Sequence, residues 1–221
     1  MNYFVTGTDT GVGKTLVSCA LLHSFASQGK RVIGMKPIAA GCDEGGLNED
    51  VKQLLASSNI AANLDLVNPY SFPQFMAPHI AAHHVGVRIE LAKILNAYQH
   101  LAAQADTVIV EGAGGFMVPL SDSKTSVDLA LQLGLPVILV VGMRLGCLNH
   151  ALLTCRAIES CGLKCAGWVA NVVDKDMSAL AENIEALQQR IAAPLLGVVP
   201  NQPVPDARTA AAHLHLELLA Y

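Results

Sequence analysis

The nine residues GTDTGVGKT at positions 7–15 constrain what this chain can fold into more than any other segment. They follow a short apolar run, Asn2–Thr6, that is typical of a β-strand, and they lead into a predicted helix near 14–28. Glycines between a strand and a helix let successive backbone N–H groups turn toward one anion, and the helix N-terminus adds partial positive charge. The segment therefore predicts a P-loop, in which Lys14 reaches the β- and γ-phosphates of a nucleotide and the Thr15 hydroxyl coordinates Mg²⁺.

The match to the usual P-loop spacing is imperfect. The first glycine of the usual pattern would fall at position 8, which is Thr8, whereas Gly7 lies one residue earlier. The alternative is a chance strand–turn–helix connection with a surface lysine at position 14. We favour the P-loop because the motif and its strand–loop–helix context agree.

Short apolar runs alternate with longer amphipathic stretches along the chain. The predicted strands are Asn2–Thr6, Arg31–Lys36, Thr107–Glu111, Pro136–Val141, Cys165–Asn171 and Leu195–Val199. The predicted helices lie near 14–28, 49–58, 88–104, 125–134, 147–161, 178–192 and 209–219. Hydrophobic residues make up 52% of the chain and charged residues 14%, a balance that suits a buried parallel sheet better than a disordered chain. We therefore expect one α/β domain over residues 1–221, a P-loop NTPase-like fold with a mostly parallel β-sheet and helices on both faces.

Two segments, 37–48 and 68–87, are predicted to be the longest irregular pieces of the chain. Long loops in a compact domain are often functional. In a parallel α/β sheet, ligands bind beyond the carboxyl ends of the strands, and most of the chain's motifs fall at such an end.

Charge and cysteine content exclude several classes of protein. Lys and Arg total 14 against 18 Asp and Glu, so the net charge of −4 argues against binding to nucleic acid or to anionic membranes. None of the six cysteines forms a C-x-x-C pair, which argues against zinc and thioredoxin-type sites and for a reduced protein. The N-terminal residues lack the pattern of a signal peptide, and the most apolar stretch, 133–143, is too short to span a bilayer. We expect a soluble, cytoplasmic protein.

A second element of the candidate site is TVIVEGAGG at 107–115, an apolar strand that ends in Glu111 and a run of glycines. A carboxylate beside the P-loop strand can bind Mg²⁺, a hard cation that prefers oxygen ligands, and the glycines let the backbone approach a ligand closely. The alternative is a strand that simply ends at a solvated glutamate, and the P-loop makes the metal role the better prediction. Asp50, at the start of the helix near 49–58, is a weaker metal candidate, because favourable charge at a helix N-terminus would explain it alone.

Six ordered motifs together resemble the dethiobiotin synthetase family from the first strand to about residue 200. They are FVTGTDTGVGKT at 4–15, GMKPIAAG at 34–41, APHIAA at 77–82, VEGAGG at 110–115, RLGCLNHALLT at 144–154 and GWVANVV at 167–173. The resemblance implies a reaction in which 7,8-diaminopelargonate, CO₂ and ATP give dethiobiotin, ADP and phosphate. One amine takes up CO₂ as a carbamate, and a carbamate oxygen attacks the γ-phosphate to give a carbamic–phosphoric anhydride. The second amine then closes the cyclic urea and expels phosphate.

The resemblance also implies roles for individual residues. The catalytic residues would be Lys14, Lys36 and Thr10, with Lys36 bridging the carbamate and the γ-phosphate. The Mg²⁺ ligands would be Thr15, Asp50 and Glu111. The ATP site would comprise Gly11, Val12, Gly13, Lys14, Thr15, Leu16, Asp50, Glu111, Gly112, Ala113, Gly114, Asn171, Val172, Pro200 and Asn201. The substrate site would comprise Thr10, Lys36, Ala40, Gly146, Cys147, Leu148 and Asn149.

Several of these implied roles have simpler alternatives. Asn171 offers the donor and acceptor that suit the N6 and N7 edge of adenine, but a strand-end asparagine can also satisfy its own turn. Without the family, Lys36 would be interpreted as an exposed strand-terminal lysine. Cys147 is not expected to act as a nucleophile, because no paired His and Asp support that chemistry.

In the family, the helix start at 146–149 comes from the other subunit of a homodimer and binds the substrate carboxylate. A helix N-terminus is a favourable site for such an anion. We therefore expect a homodimer with the substrate site at the subunit interface.

This chain departs from the family at two positions. Ala40 stands where many members have Ser or Thr, and Gly11 stands where an acidic or other side chain is common. These departures affect the expected substrate affinity and leave the reaction class unchanged.

Two other classes of protein compete with this interpretation. An ATP-dependent amidating synthetase of corrinoid acids has a similar loop, but it usually carries a glutaminase domain for which 221 residues leave no room. A P-loop ATPase switch of the partition or septum-positioning type usually has a second lysine where this chain has Asp9, and often ends in a basic amphipathic helix. The predicted last helix, 209–219, contains neither Lys nor Arg, which argues against a switch.

Overall fold

The computed structural model describes residues 1–219, which form alternating strands and helices. The strands are β1 (Tyr3–Gly7), β2 (Val32–Met35), β3 (Ile38–Ala40), β4 (Tyr70–Phe72), β5 (Thr107–Glu111), β6 (Val137–Met143), β7 (Cys165–Val172) and β8 (Leu195–Val199). The helices are α1 (Lys14–Ser27), α2 (Glu49–Ser57), α3 (Leu64–Val67), α4 (Pro78–His84), α5 (Leu91–Ala102), α6 (Ser126–Leu133), α7 (Cys147–Ser160), α8 (Leu180–Gln188) and α9 (Ala207–Ala211). A 3₁₀ turn follows at Leu216–Leu218. Each of the predicted strands is present within a residue or two of its expected bounds.

Six strands form one parallel sheet in the order β2–β5–β1–β6–β7–β8. The first strand of the chain, β1, is therefore central and pairs with β5 on one side and β6 on the other. Parallel neighbours need crossover connections, and helices supply them here. The predicted fold class, a mostly parallel α/β sheet, is confirmed.

Both faces of this sheet are covered by helices, because successive residues of a strand point to opposite faces. In β1, Phe4 packs in a cluster with Ile94 and Leu101, which lie on α5. Its neighbour Val5 packs in a second cluster with Leu21 of α1. Burying each such side chain stabilises the fold by roughly 1.5–3 kcal/mol. The continuous apolar strands that the sequence shows are the consequence of burial on two faces.

The two segments predicted to be irregular contain regular structure. Residues 37–48 include β3, and residues 68–87 include β4 and α4; β3 and β4 pair in parallel as a separate two-stranded sheet. The prediction was wrong because strands of three residues are too short to show periodicity. Pairing between Ile38 and Tyr70 links segments far apart in the chain, which no local pattern reveals.

The predicted last helix at 209–219 is also wrong. Helix α9 is short and ends at Ala211, and the 3₁₀ turn follows after a break. The break has a physical cause: the His215 N–H donates to the Leu196 carbonyl at 2.8 Å, so the chain runs beside β8. Leu214 and Leu216 are buried in the core at this point, and their burial outweighs helix continuation.

The carboxyl ends of the parallel strands lie at one edge of the sheet. The P-loop follows β1, Lys36 follows β2, and Glu111 is the last residue of β5. Residues 144–149 follow β6, and Asn171 lies near the end of β7. The topology therefore gathers at one edge most of the residues that the sequence singled out.

Candidate active site

The P-loop backbone is shaped by three glycines. Gly11 and Gly13 have φ values of 72° and 89°, in the left-handed region that favours glycine. A Cβ at Gly13 would also run into the side-chain amide of Asn171. At Gly7, a Cβ would lie 2.6 Å from Val12 Cγ2, so the loop closes on this residue. That contact explains why position 7 is occupied by glycine.

Helix α1 begins at Lys14 with no side-chain cap. Its first N–H groups are thus available to an anion, and the helix dipole favours negative charge there. The Lys14 ammonium is buried and donates to the Asp9 carbonyl at 2.9 Å. Burial, and then the nearby Lys36 ammonium, lower the pKa of Lys14 to about 8. Among the ion pairs within residues 1–219, none involves Lys14, and a phosphate would supply the missing negative charge.

A buried charge cluster lies beside the P-loop. The Lys36 ammonium is 2.9 Å from Asp50 Oδ2 and 2.5 Å from Glu111 Oε1. The Thr15 hydroxyl donates to the same Glu111 oxygen at 2.9 Å. Burial alone would lower the pKa of Lys36, but Glu111 and Asp50 outweigh it, so the pKa lies above its usual value. Lys36 is therefore a fixed cation, and the structure places it in contact with two of the three predicted Mg²⁺ ligands, Asp50 and Glu111.

The ionisation of Asp50 follows from the same cluster. Burial raises the pKa of Asp50, whereas the Lys36 charge and its hydrogen bond lower it, with a further hydrogen bond from Thr15. The net pKa lies below its usual value, so Asp50 is a carboxylate at neutral pH. The cluster thus keeps Asp50 available as an anionic ligand.

The oxygen atoms of Thr15, Asp50 and Glu111 fit a magnesium ion. They offer two carboxylates and a hydroxyl, the hard donors that Mg²⁺ prefers. Glu111 Oε2 is buried and has no hydrogen-bond partner among the described residues, so it retains the capacity to bind a cation. Residues 1–219 contain no group of three His, Cys, Asp or Glu side chains that could hold a metal alone. A site of this kind suits an ion that keeps waters and binds substrate phosphates.

The glycine run after β5 packs against the P-loop. The Gly112 N–H donates to the Val5 carbonyl at 2.9 Å. A Cβ at Gly114 would lie 3.6 Å from the Thr10 hydroxyl, and one at Gly115 would lie 3.7 Å from the Gly7 carbonyl. Among the predicted nucleotide residues of this run, Gly114 is thus brought close to Thr10, and Gly112 is bound to β1.

The predicted adenine side lies at the ends of β7 and β8. Asn171 is buried, and its Nδ2 donates to the Val12 carbonyl at 2.9 Å. Asn201 Nδ2 donates to the Val172 carbonyl at 3.1 Å, and Pro200 precedes it. Leu16, in contrast, packs against the core cluster of α1. Asn171 therefore holds the P-loop in place, a role that its sequence position did not reveal.

The structure does not bring all predicted substrate residues together. Ala40 ends β3, whereas Gly146, Cys147, Leu148 and Asn149 start α7 after β6. β5 and β1 separate β6 from β2, the strand before Lys36, so these two strands lie roughly 14 Å apart at about 4.8 Å per strand, and β3 belongs to the separate two-stranded sheet. Cys147 is buried in a core cluster with Val141, which agrees with its exclusion as a nucleophile.

Sequence analysis missed several residues that shape the site. Arg144 pairs with Asp9 at 2.6 Å, which ties the P-loop to the end of β6. Asn68 is buried and donates to the Lys36 carbonyl at 2.6 Å, which fixes the backbone that carries Lys36. Asn48 caps α2 and contacts the end of β3. Only the capping pattern of Asn48 leaves a signal in the sequence; the other two contacts join residues far apart.

The loop and the sheet together define a P-loop nucleotide-binding protein. A family model described as an AAA domain matches residues 1–209. Among solved structures, the MinD cell division protein of Aquifex aeolicus has a TM-score of 0.59 at 15% identity, over 98% of this chain and 89% of that chain. The signal recognition particle receptor FtsY of Elizabethkingia anophelis has a TM-score of 0.54 at 16% identity, over 96% of this chain and 64% of that chain. At these identities the likeness shows the fold alone.

Sequence relatives identify the family. The ATP-dependent dethiobiotin synthetase BioD of Nitrosospira multiformis is 56% identical over 206 residues, which span 93% of this chain and 91% of the relative. The enzyme of the same name from Aromatoleum aromaticum is 54% identical over 97% of this chain and 96% of the relative. The chain belongs to the ATP-dependent dethiobiotin synthetase family. The resemblance inferred from the six sequence motifs is therefore confirmed.

Proposed function

We propose that this chain joins CO₂ to 7,8-diaminopelargonate at the expense of ATP, giving dethiobiotin, ADP and phosphate. The protein is an ATP-dependent ligase that forms C–N bonds, as its family membership states. The observation that carries the residue assignment is the buried Lys36 ammonium beside Glu111 and Asp50, at the edge where the P-loop lies. Carbamate and triphosphate are both anionic, so their reaction requires concentrated positive charge and in-line positioning.

The P-loop binds the triphosphate in this proposal. The uncapped N–H groups of α1 and the Lys14 ammonium face the β- and γ-phosphates. Gly11, Gly13 and the run at 112–114 let the backbone approach the nucleotide, and Asn171 with Val172, Pro200 and Asn201 surrounds the adenine. Mg²⁺, held by Thr15, Asp50 and Glu111, would neutralise charge on the phosphates when bound. Lys14 keeps its proton once a phosphate replaces the water lost on burial.

The chemistry then proceeds in three steps. One amine of the substrate attacks CO₂ and loses a proton, which forms the N–C bond of a carbamate. A carbamate oxygen attacks the γ-phosphorus and ADP leaves, giving the mixed anhydride. The second amine attacks the carbamate carbon, loses a proton and expels phosphate, which closes the ring. Lys36 lies between the anionic partners and stabilises the charge of the second step, while Thr10 hydrogen-bonds the carbamate.

The remote substrate residues suggest a second subunit. We propose a homodimer in which Gly146, Cys147, Leu148 and Asn149 of one protomer bind the carboxylate of the substrate held by the other. Support comes from their roughly 14 Å separation from the Lys36 strand and from Leu145, which is 96% exposed beside the α7 N-terminus.

The remaining proposals concern the chain as a whole. Residues 1–221 form one synthetase domain that acts in the cytoplasm on small molecules, without a nucleic-acid or membrane partner. Within residues 1–219, no helix is long and apolar enough to cross a membrane. The ATPase-switch alternative has only the fold likeness to MinD in its favour, and Asp9 stands where a switch protein usually has its second lysine.

The function is tested by incubating purified protein with ATP, Mg²⁺, bicarbonate and diaminopelargonate, and detecting dethiobiotin by mass. Phosphate release should require both diaminopelargonate and bicarbonate. Release that instead depends on a protein or lipid partner would favour a switch.

The role of Lys36 is tested by Lys36→Ala, which removes the cation between the anionic reactants. We expect kcat to fall by at least about a thousandfold while ATP still binds in calorimetry. Lys124→Ala is the matched control, because Lys124 forms an exposed ion pair with Asp128. Near-normal synthesis by Lys36→Ala would remove Lys36 from the active site.

A further inference from the structure

Asn48 occupies a position between the metal side and the substrate side of the site. It is buried, with 8% of its surface exposed, and precedes the first residue of α2. Its Oδ1 accepts the Asp50 N–H at 2.9 Å. Its Nδ2 donates to the carbonyls of Ala40 at 3.0 Å and Gly41 at 3.3 Å. One side chain thus contacts the helix that carries Asp50 and the strand end that carries Ala40.

These contacts close a ring through the chain. The backbone runs from Lys36 along β3 to Ala40, and Asn48 binds the Ala40 carbonyl. Two residues on, Asp50 returns to the Lys36 ammonium at 2.9 Å. Gly41, with φ of 77°, bends the backbone so that both carbonyls reach the same amide. Because the ring is closed, a displacement of β3 must move either Asn48 or the Asp50–Lys36 pair.

We propose that Asn48 is a positioning residue that fixes the substrate-side strand end relative to the metal-binding carboxylate Asp50. This inference rests on the proposed roles of Asp50 and Ala40. Asn48 Oδ1 fixes the first turn of α2 and therefore the position of Asp50. Its donor end sets the backbone of Ala40 and Gly41, where a backbone contact to substrate replaces the hydroxyl that Ala40 lacks.

The roles of the acceptor Oδ1 and the donor Nδ2 of Asn48 can be separated by substitution. Asn48→Ser keeps a capping oxygen for the Asp50 N–H but loses the amide donor to the two carbonyls. Asn48→Ala loses both ends. Asn63 is a matched control, because it caps α3 by accepting the Asp65 N–H at 2.9 Å and is exposed.

We expect Asn48→Ser to raise the KM for diaminopelargonate about tenfold, because two hydrogen bonds to the partly buried carbonyls of Ala40 and Gly41 are lost. The Mg²⁺ concentration that half-saturates ATP binding, measured by calorimetry, should stay within about twofold of wild type. Asn48→Ala should show the same rise in KM and, in addition, a roughly fivefold higher Mg²⁺ requirement. Asn63→Ser and Asn63→Ala should change the melting temperature alone.

Two results would overturn the inference. In the first, both Asn48 variants lower only the melting temperature, as the Asn63 variants do, and Asn48 is then an ordinary helix cap. In the second, Asn48→Ser changes the Mg²⁺ requirement and leaves KM unaltered. Failure of the proposed function is recognised separately, because the wild-type protein would then make no dethiobiotin, whereas an active wild type beside an unchanged Asn48→Ser refutes this inference alone.

Discussion

The two ends of the candidate site are built differently. At the β2 and β5 ends, charged groups are buried and paired, as with the Lys36 ammonium 2.5 Å from Glu111 Oε1. At the start of α7, Leu145 and Asn149 are exposed. The phosphate-binding end is therefore preorganised within one chain. The α7 end is exposed in the single chain, and the proposed second subunit would cover it.

The largest effect expected at the preorganised end is that of Gly13→Ala. An alanine at φ of 89° is strained, and its Cβ would collide with the Asn171 amide. Strain and overpacking together cost about 4 kcal/mol, so ATP affinity in calorimetry should fall roughly a thousandfold.

Gly29→Ala is the control for Gly13→Ala. Gly29 has φ of 77°, but a Cβ added there would meet no atom within 4 Å. Gly29→Ala therefore has the backbone strain of Gly13→Ala without its collision. ATP affinity should be unchanged in this variant. Equal losses in both variants would mean that the loop geometry at Gly13 has no special role.

The second prediction concerns the pH dependence of stability at the same end. The pKa of Lys14 is about 8 in the folded chain and 10.5 as its ordinary value, so the unfolded state binds more protons between these values. Stability should therefore rise with pH from about 8 to 10.5 by up to about 3 kcal/mol relative to Lys14→Met. Below pH 8, Lys14 is charged in both states and its burial cost is fully present.

Urea unfolding of the two proteins at several pH values measures this difference. Saturating ATP should reduce it, because a bound phosphate favours the charged lysine. Parallel curves for wild type and Lys14→Met from about pH 7 to 10 would contradict the buried, unpaired state of Lys14.

The third and smallest effect concerns the exposed end. Leu145→Asp places a charge where we propose a subunit contact, so the dimer should weaken and the KM for diaminopelargonate should rise about tenfold. ATP binding should be unchanged, since the preorganised end is intact. Sedimentation measures the oligomeric state, and Val204→Asp, at a residue 80% exposed, is the control. A fully active monomer would show that the α7 end acts without a partner.

The main sheet and the buried end of the site could be predicted well from the sequence. Long apolar strands and the P-loop spacing are local patterns, so Thr15, Lys36 and Glu111 could be placed at one sheet edge from the sequence alone. The sheet of β3 and β4 could not be predicted, because three-residue strands carry no period.

Contacts between distant residues also escaped sequence analysis. The Asp9–Arg144 pair and the Asn68 bond to the Lys36 carbonyl join positions that only the fold brings together. The break after α9 depends on a hydrogen bond to β8, whereas helix propensity favoured continuation. Periodicity and motif spacing were sufficient to predict the main sheet and the P-loop. The features that sequence analysis missed depend on tertiary contacts.

The central place of β1 has a consequence for biosynthesis. β1 pairs with strands that begin at residues 107 and 137, and the P-loop after it is held by Asn171, which lies 159 positions after Val12. At about 5–20 residues per second, a ribosome needs on the order of ten seconds to supply these partners. During that time β1 has no sheet to join, so the ability to hold nucleotide arises only after residue 171 has been translated.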